Sequence, residues 1–498
     1  MRLLLNKNLL RQLQLLEKLY ERDGWITLSV IAQTLNCSER VLRDDIKLIN
    51  TEFKPFQIKT SQNGVMLTYP NHYSADFIYQ KVLSLSPEFL FLERIFFEEK
   101  YDIETIANEL FLSTSTMRRI IAKFNTFLNK YEIQIVTNPC KIIGNEQNIR
   151  SIMVHFFYEK YGVTYTPFED TQIKVLDKLF LYVMQANHIQ PNFPDLIRIK
   201  NWTMVNMIRL KNHHKKIVPE HFPNHFDHFD LSIFNNTLFC EWFKDIFNLE
   251  FNKETAQQLF SVLFNNQYAF SYEILEKMIQ QKINKAWIIV PKIDSFLHSL
   301  ANKLNISIQN KEKEKIILEL YNLQTMNYGR SFILNDKRRL FSEHFSHEFS
   351  YFVLFLKEEL MKFLFHKEFK WTSNFFTETL YILIINWGHL LSALKSKVPI
   401  LHVGIFCDAD IEHTEFIQNI MLYQFGHLIK PFIIEELNLS SFREVSKSYD
   451  LIITNISGLK DISSPLICVN TIPLSHDLNK VQKEILTLIH LKLSKEFQ

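Results

Sequence analysis

One apolar pattern occurs twice in the first third of the chain, and it restricts the fold more than any other feature. Leu28, Ile31, Ala32, Leu35 and Ser38 recur 75 positions later as Ile103, Ile106, Ala107, Leu110 and Ser113. Each copy reads as a short amphipathic helix, a tight turn and a serine able to open a second helix. Tandem units of this kind read as helix-turn-helix pairs, a form suited to sequence recognition on nucleic acid.

In the first unit, Leu9, Leu13, Leu16 and Leu19 predict a supporting helix that Gly24 ends. Thr27 is expected to cap the helix burying Leu28, Ile31 and Leu35, and Ser38 the next, with Leu42, Ile46, Ile49 and Phe53 inward. Arg40, Arg43, Asp44 and Lys47 fall on the opposite face. Asn63-Gly64 between two apolar runs predicts a hairpin, the wing of a winged unit.

The second unit keeps the same register. A supporting helix is expected from Pro87 to Lys100, and Asp102 should cap a helix burying Ile103, Ile106 and Leu110. Ser113 or Thr114 opens the next, with Met117, Ile121, Phe124 and Leu128 inward and Ser115, Thr116, Arg118, Arg119 and Lys123 outward. EIQIVTNPCKIIG predicts a second wing that turns at Asn138-Pro139. Short polar residues in the first turns of such a helix lie close to base edges, and arginines reach guanine or phosphate. One copy alone would equally suit a plain helical hairpin with a solvated basic face. Two copies in register favour DNA.

Charge narrows the reading further. The whole chain carries only +2, so any nucleic-acid footprint is local. From Ser113 to Tyr131, Arg118, Arg119, Lys123 and Lys130 meet no acid, a local +4. From Ser38 to Lys54, Arg40, Arg43, Lys47 and Lys54 are offset by Glu39, Asp44, Asp45 and Glu52. The second unit is therefore expected to supply more of the phosphate attraction. The chain of 498 residues predicts several domains, and its 9 glycines argue for helices over glycine-rich phosphate loops. No run approaches the about 20 apolar residues of a membrane span. Five scattered cysteines without CxxC spacing suggest reduced thiols in a cytoplasm and no zinc site. No cofactor is implied.

The stretch from about Asn148 to Lys395 reads as helical, with no catalytic motif. AWIIVPKID, around Pro291, is expected to interrupt the helices and mark a boundary near Lys285–Ile293. Histidines stand out: His213 and His214 after an amphipathic run, His221, His225 and His228 in the loop beyond, then His344, His347 and His389. His344 and His347 could share a helix face with Glu343 and Glu348 beside them, but no third metal ligand follows from the spacing.

The last hundred residues change period. PILHVGIF, Ile429–Ile434, DLIIT and PLICVN read as strands alternating with helices, a small parallel α/β domain. Cys407 follows the first strand, where such folds place reactive groups. Asp408, Asp410 and Glu412 come next without a glycine, which repels a phosphoryl group and denies it a backbone cradle. The domain reads as an interaction or dimerisation module.

The order is two winged units, two histidine-bearing helical domains and a small α/β domain. With LSVIAQTLNCSERVLRDDI and IETIANELFLSTSTMRRII, it resembles the Mga and AtxA family of virulence regulators. These are relatives of transcription factors with phosphotransferase-system regulation domains. The resemblance implies winged helix-turn-helix domains at 1–72 and 73–160, all-α regulation domains at 161–285 and 286–396, and an enzyme IIB-like domain at 397–498. It implies promoter double-stranded DNA as partner, read by Ser38, Arg40, Arg43, Lys47, Ser113, Thr114, Ser115, Thr116, Arg118, Arg119 and Lys123. It further implies a cytoplasmic homodimer and a transient phosphotransferase-system phosphocarrier partner. The phosphocarrier would modify a histidine, with His213 or His214 candidates in the first regulation domain and His344, His347 and His389 in the second. Cys407 matches the enzyme IIB cysteine position, but the acids after it depart from the phosphate-binding pattern. Two other functions stay open at this point: an RNA-binding antiterminator with the same regulation domains, and an enzyme IIB-type phosphocarrier.

Overall fold

The computed structural model describes residues 1–22, 24–98, 102–163, 166–186, 193–214, 232–260, 269, 271–326, 332–364, 373–396, 398–408, 410–436 and 438–496. His221, His225 and His228 lie outside them, as does the side chain of His347. The chain forms two compact units. One comprises Met1–Leu275 with Gln324–Asp336, the other Glu276–Leu323 with Lys337–Gln498.

The first unit opens with α1 (Lys7–Tyr20), α2 (Leu28–Thr34) and α3 (Glu39–Glu52), then the hairpin β1 (Gln57–Ser61) and β2 (Gly64–Thr68). After α4 (Ala75–Leu85), the theme returns as α5 (Pro87–Phe97), α6 (Ile103–Glu109), α7 (Thr114–Leu128), β3 (Ile133–Thr137) and β4 (Cys140–Gly144). Both hairpins are antiparallel: Thr137 pairs with Cys140, so the second wing turns at Asn138-Pro139 as predicted, whereas Ser61 pairs with Gly64, so the first turns at Gln62-Asn63, one residue before the predicted Asn63-Gly64. The helices α8 (Glu146–Tyr161), α9 (Asp170–Ala186), α10 (Phe193–Lys211), α11 (Thr237–Phe247) and α12 (Lys253–Leu259) follow, then α13 (Tyr272–Gln280) at the boundary.

The predicted inward stripes are buried. Leu42, Ile46, Ile49 and Phe53 on α3, and Met117, Ile121, Phe124 and Leu128 on α7, all belong to one core. That core is continuous across both helix-turn-helix units and α8. Phe89 of α5 stacks on Phe156 of α8 and meets Phe124 of α7 edge-on, with centroids at 6.0 and 6.2 Å. Aromatic pairs in these geometries add to the area they bury. A polar contact within the first unit also joins α4 to α1: Tyr79 donates to Glu17 at 2.7 Å. Residues 332–336 dock on the same body. Glu159 of α8 accepts the N–H groups of Ile333, Leu334 and Asn335, and Arg2 Nε donates to the Leu334 carbonyl at 2.7 Å.

The second unit carries α14 (Ala286–Leu304), α15 (Asn310–Met326, whose last turn belongs to the first unit), α16 (Lys337–Glu348), α17 (Ser350–Leu364), α18 (Ser373–Asn386) and α19 (Leu390–Ser396). The expected interruption at AWIIVPKID does not occur: α14 runs through Pro291. Proline is best tolerated in a helix's first turn, whose N–H groups lack intrahelical partners. Pro291 lies past that first turn, so α14 forgoes one intrahelical bond there, while Ile289, Val290 and Ile293 around it are buried in the packed unit. Trp387 is buried, and its indole N–H donates to the Ser307 carbonyl at 3.0 Å.

The unit ends in the expected α/β domain: β5 (Leu401–Phe406), α20 (Ile411–Phe425), β6 (Ile429–Ile433), α21 (Leu439–Ser446), β7 (Leu451–Thr454), β8 (Leu466–Cys468) and α22 (Ser475–Glu496). Its strands are parallel in the order β6-β5-β7-β8. Among the described residues, no helix is long and apolar enough to cross a membrane.

A core shared by both helix-turn-helix units makes their folding interdependent. Phe156→Ala is expected to cost about 3–5 kcal/mol and to destabilise α3 and α7 together. Amide exchange across urea would register this as parallel loss of protection in both helices.

Candidate nucleic-acid interface

The two capping serines act as the sequence implies. Ser38 accepts the Val41 N–H at 3.4 Å to begin α3. Ser113 accepts the Thr116 N–H at 3.2 Å to begin α7, and its hydroxyl lies 2.9 Å from those of Ser115 and Thr116. Asp102 caps α6 by accepting from the Thr105 hydroxyl and from the Thr105 and Glu104 N–H groups, which holds its carboxyl below the usual range. Thr27 departs from expectation. It occupies the first position before α2, but makes no side-chain cap, and its hydroxyl pairs with Ser29 at 3.3 Å.

Each wing is fastened to its recognition helix by an asparagine. Asn50 of α3 accepts the Ile58 N–H at 2.7 Å and donates to the Ile58 carbonyl at 3.0 Å. Asn125 of α7 does the same to Ile135, at 2.7 and 2.9 Å. The two asparagines are 75 positions apart, the period of the apolar repeat, so the signal was present in the sequence and was missed. Each wing contains one glycine at a close backbone approach, Gly64 at the start of β2 and Gly144 at the end of β4. Gly64 has φ +116° and Gly144 φ +127°, and a Cβ on either would lie 2.1 Å from a carbonyl oxygen, of Ile26 and Glu132 respectively.

Formal charge and available charge differ on these helices. On α7, Arg118 and Arg119 are exposed, with Arg119 donating to the Thr116 hydroxyl at 3.2 Å. Lys123, expected on the DNA-facing side, instead directs its ammonium to the carbonyls of Leu4 and Leu5 at 3.0 and 3.1 Å. Those carbonyls end a short helical turn, where a cation is stabilised. Lys130 lies over the rings of Phe127 and Tyr131 at 4.3 and 5.0 Å. The +4 stands as a charge, but Arg118 and Arg119 are the two of the four whose charged ends are not tied to a backbone carbonyl or an aromatic ring.

On α3, Arg43 pairs with Glu39 at 3.1 Å and Lys47 lies 3.9 Å from Asp44, both on the surface. Arg40 is exposed with no ion pair among the described residues. Asp45, read as offsetting this face, is buried and bonded to Arg11 at 2.5 Å and Gln12 at 3.1 Å, so it does not repel phosphate. A cleft of about 600 Å³ lies between α3 and its wing, lined by Arg43, Lys47, Asn50, Thr60, Ser61 and Gly64 among others.

A second polar site was not foreseen. Arg150 of α8 and Arg209 of α10 are both 1% exposed. Arg209 donates to Glu98 at 3.0 Å and to both oxygens of Glu146 at 2.9 and 2.8 Å, and Arg150 donates to Glu146 at 2.9 Å. His214 joins the cluster, its Nε2 2.6 Å from Glu98 and its carbonyl accepting from Arg150 at 3.0 Å. The network ties the end of α10 to α5 and α8, which flank the second helix-turn-helix. His213 beside it is exposed, as are His344 on α16 and His389 in the turn after α18. Cys407 is half-buried at the end of β5, and burial pushes its thiol up. Asp408 and Asn455 close on each other beyond it, the Asp408 N–H donating to Asn455 Oδ1 at 3.0 Å and Asn455 Nδ2 to Asp408 Oδ1 at 2.6 Å. An anion there would lose that backbone donor and face the carboxylate. Among the described residues, no group of three or more His, Cys, Asp and Glu could hold a metal ion.

Two serine-capped helices, each backed by a wing and built on one core, make this a tandem winged helix-turn-helix protein. Residues 6–64 match the M protein trans-acting positive regulator (MGA) HTH domain, and residues 71–157 match the Mga helix-turn-helix domain. A protein of Streptococcus pneumoniae serotype 4, named as a trans-acting regulator, is 27% identical over 91% of this chain and 93% of its own length. The capsule synthesis positive regulator AcpA of Bacillus anthracis is 25% identical over 42% of the chain and 44% of its own. The anthrax toxin expression trans-acting positive regulator of the same organism is 25% identical over 31% of the chain and 32% of its own. The N-terminal region thus carries two Mga-type helix-turn-helix domains, and the chain is similar to proteins named as trans-acting or positive regulators, one of them over nearly its whole length.

Burial pushes the Glu146 carboxyl up, but Arg209 and Arg150 outweigh it and hold the group below its ordinary 4.5. A depressed folded-state value stabilises the fold fully above the unfolded value, and that stability is lost as pH falls through the folded one. Unfolding free energy followed by denaturant titration from pH 7 to 3 should therefore decline on the acid side. Glu146→Gln should weaken that decline while lowering stability at pH 7 by about 3–5 kcal/mol.

Proposed function

We propose that the chain binds promoter double-stranded DNA through α3 and α7 and acts as a positive regulator. The observation that carries this reading is the acid-free, arginine-bearing outer face of the Ser113-capped helix, held in one core with its Ser38-capped counterpart. Ser38, Arg40, Arg43 and Lys47 on one side, and Ser113, Thr114, Ser115, Thr116, Arg118 and Arg119 on the other, are the contact residues. Lys123 acts behind them, holding α7 to the residues before α1. Arg118→Ala with Arg119→Ala should weaken binding to a footprinted genomic duplex and flatten the log–log salt dependence by about one unit of slope per lost phosphate contact. Unchanged binding would remove α7 from the interface. Preference for structured leader RNA over the duplex would favour an antiterminator, a role that calls for splayed bases and aromatic platforms.

The same proposal includes control by the sugar phosphotransferase relay, with the helical regions 161–285 and 286–396 as regulation domains. His213 and His214 are the first-domain candidates. The exposure of His213 and the contact of His214 with Glu98 support them, because a phosphoryl group adds about −1.5 to −2 charges beside a buried carboxylate. His344, His347 and His389 are the candidates in the second. The relay's phosphocarrier protein is then a transient partner in the cytoplasm. Residues 397–498 form the enzyme IIB-like module, and the chain works as a homodimer. The exposure of Phe416, Leu422 and Tyr423 along α20 supports a self-associating face. Incubation with phosphoenolpyruvate and the general relay proteins should give an acid-labile phosphohistidine that His213→Ala with His214→Ala reduces. An acid-stable adduct at Cys407 would overturn that assignment, and sedimentation of the full chain checks the dimer.

A further inference from the structure

The turn between α6 and α7 carries an anomaly that the DNA reading above does not use. Both helix-turn-helix turns close in the same way. In the first, the Asn36 N–H donates to the Gln33 carbonyl at 3.3 Å and the Cys37 N–H to Ala32 at 3.0 Å. In the second, the Phe111 N–H donates to Asn108 at 3.1 Å and the Leu112 N–H to Ala107 at 2.8 Å. This closure places the residue after the helix in the left-handed region, which glycine and asparagine enter most readily. Asn36 has φ 49° there, and Phe111, 75 positions later, has φ 53°. For a bulky side chain that backbone is an outlier.

The ring gains nothing from packing. Phe111 is 96% exposed, while its neighbours Leu110 and Leu112 pack against the core. A large apolar side chain that is both strained and solvated weakens the free protein twice over, and such strain tends to persist at functional contacts. Its position indicates the contact. Phe111 lies two residues before the Ser113 cap, at the leading end of α7, the end a recognition helix carries into the major groove. Arg118 and Arg119 follow one to two turns along the same helix.

We propose that Phe111 is an apolar DNA-contacting residue of the second helix-turn-helix, packing on thymine methyl groups at the edge of the site read by α7. The inference rests on the DNA-binding reading of α7. It assigns the second unit a contact that the first, with Asn36, lacks. Such a contact releases no counterions, so it alters affinity without altering salt dependence, unlike the arginines.

The test uses the full chain and a duplex footprinted on genomic DNA by the wild-type protein, with an unrelated duplex of equal length as control. Phe111→Asn installs the residue of the first unit and relieves the backbone, so its melting temperature should equal or exceed wild type. Its affinity for the footprinted duplex should fall about tenfold, with an unchanged salt slope and unchanged affinity for the control. Phe111→Ala, which keeps a Cβ in the left-handed region, should lose the same affinity, and Phe111→Tyr should retain most of it. Wild-type affinity in a folded Phe111→Asn overturns the inference. If promoter activation then falls while duplex binding holds, the ring meets a protein instead. A wild-type chain that footprints no duplex overturns the DNA reading itself, and this contact with it.

Discussion

The architecture of the N-terminal unit depends on one continuous apolar core. Phe89, Phe124 and Phe156 join α5, α7 and α8, and the same buried cluster extends through Leu13 and Leu16 of α1 to Ile46 and Ile49 of α3. Two recognition helices built on separate cores would be free to reorient. Here both draw on one buried cluster. Lys123 reinforces the coupling, because the α7 ammonium bonds carbonyls just before α1. Interiors packed this tightly transmit displacement instead of absorbing it. A change at the edge of the body can thus reach both recognition helices.

The buried ion cluster of Arg150, Arg209, Glu98 and Glu146 lies at such an edge. Buried charges are tolerable only when each finds partners, and these do. Their value lies in specificity of arrangement more than in net stability. Removing one member strands the others without water, so the cluster favours one placement of α10 against α5 and α8. His214 is the partly exposed member of that cluster, which gives the candidate histidine a physical route to the second helix-turn-helix.

Much of the fold was legible because period and capping are local properties. The inward stripes of α3 and α7, the Ser38 and Ser113 caps, the second wing's turn after Thr137 and the parallel strands of the C-terminal domain appear where spacing put them, and the first wing's turn lies one residue earlier. The errors share one cause. Pro291 was read as a break because proline disfavours helices in isolation, yet burial around it overrides that preference. Thr27 had the right residue type for a cap, but a nearby hydroxyl took its bond.

The chain's amino acids alone determined that it carries two helix-turn-helix units in register, a helical middle and an α/β end, because apolar period and cap chemistry act between near neighbours. Which charges remain available to a partner was decided only in three dimensions. Lys123, Lys130 and Asp45 are equivalent to Arg118 and Arg40 in a count of charge. Burial against Arg11 takes Asp45 out of the surface balance, while a carbonyl pair tethers the Lys123 ammonium and two aromatic rings lie beside that of Lys130. Their partners are brought close by the fold, and no spacing along the chain records a contact between Lys123 and Leu4.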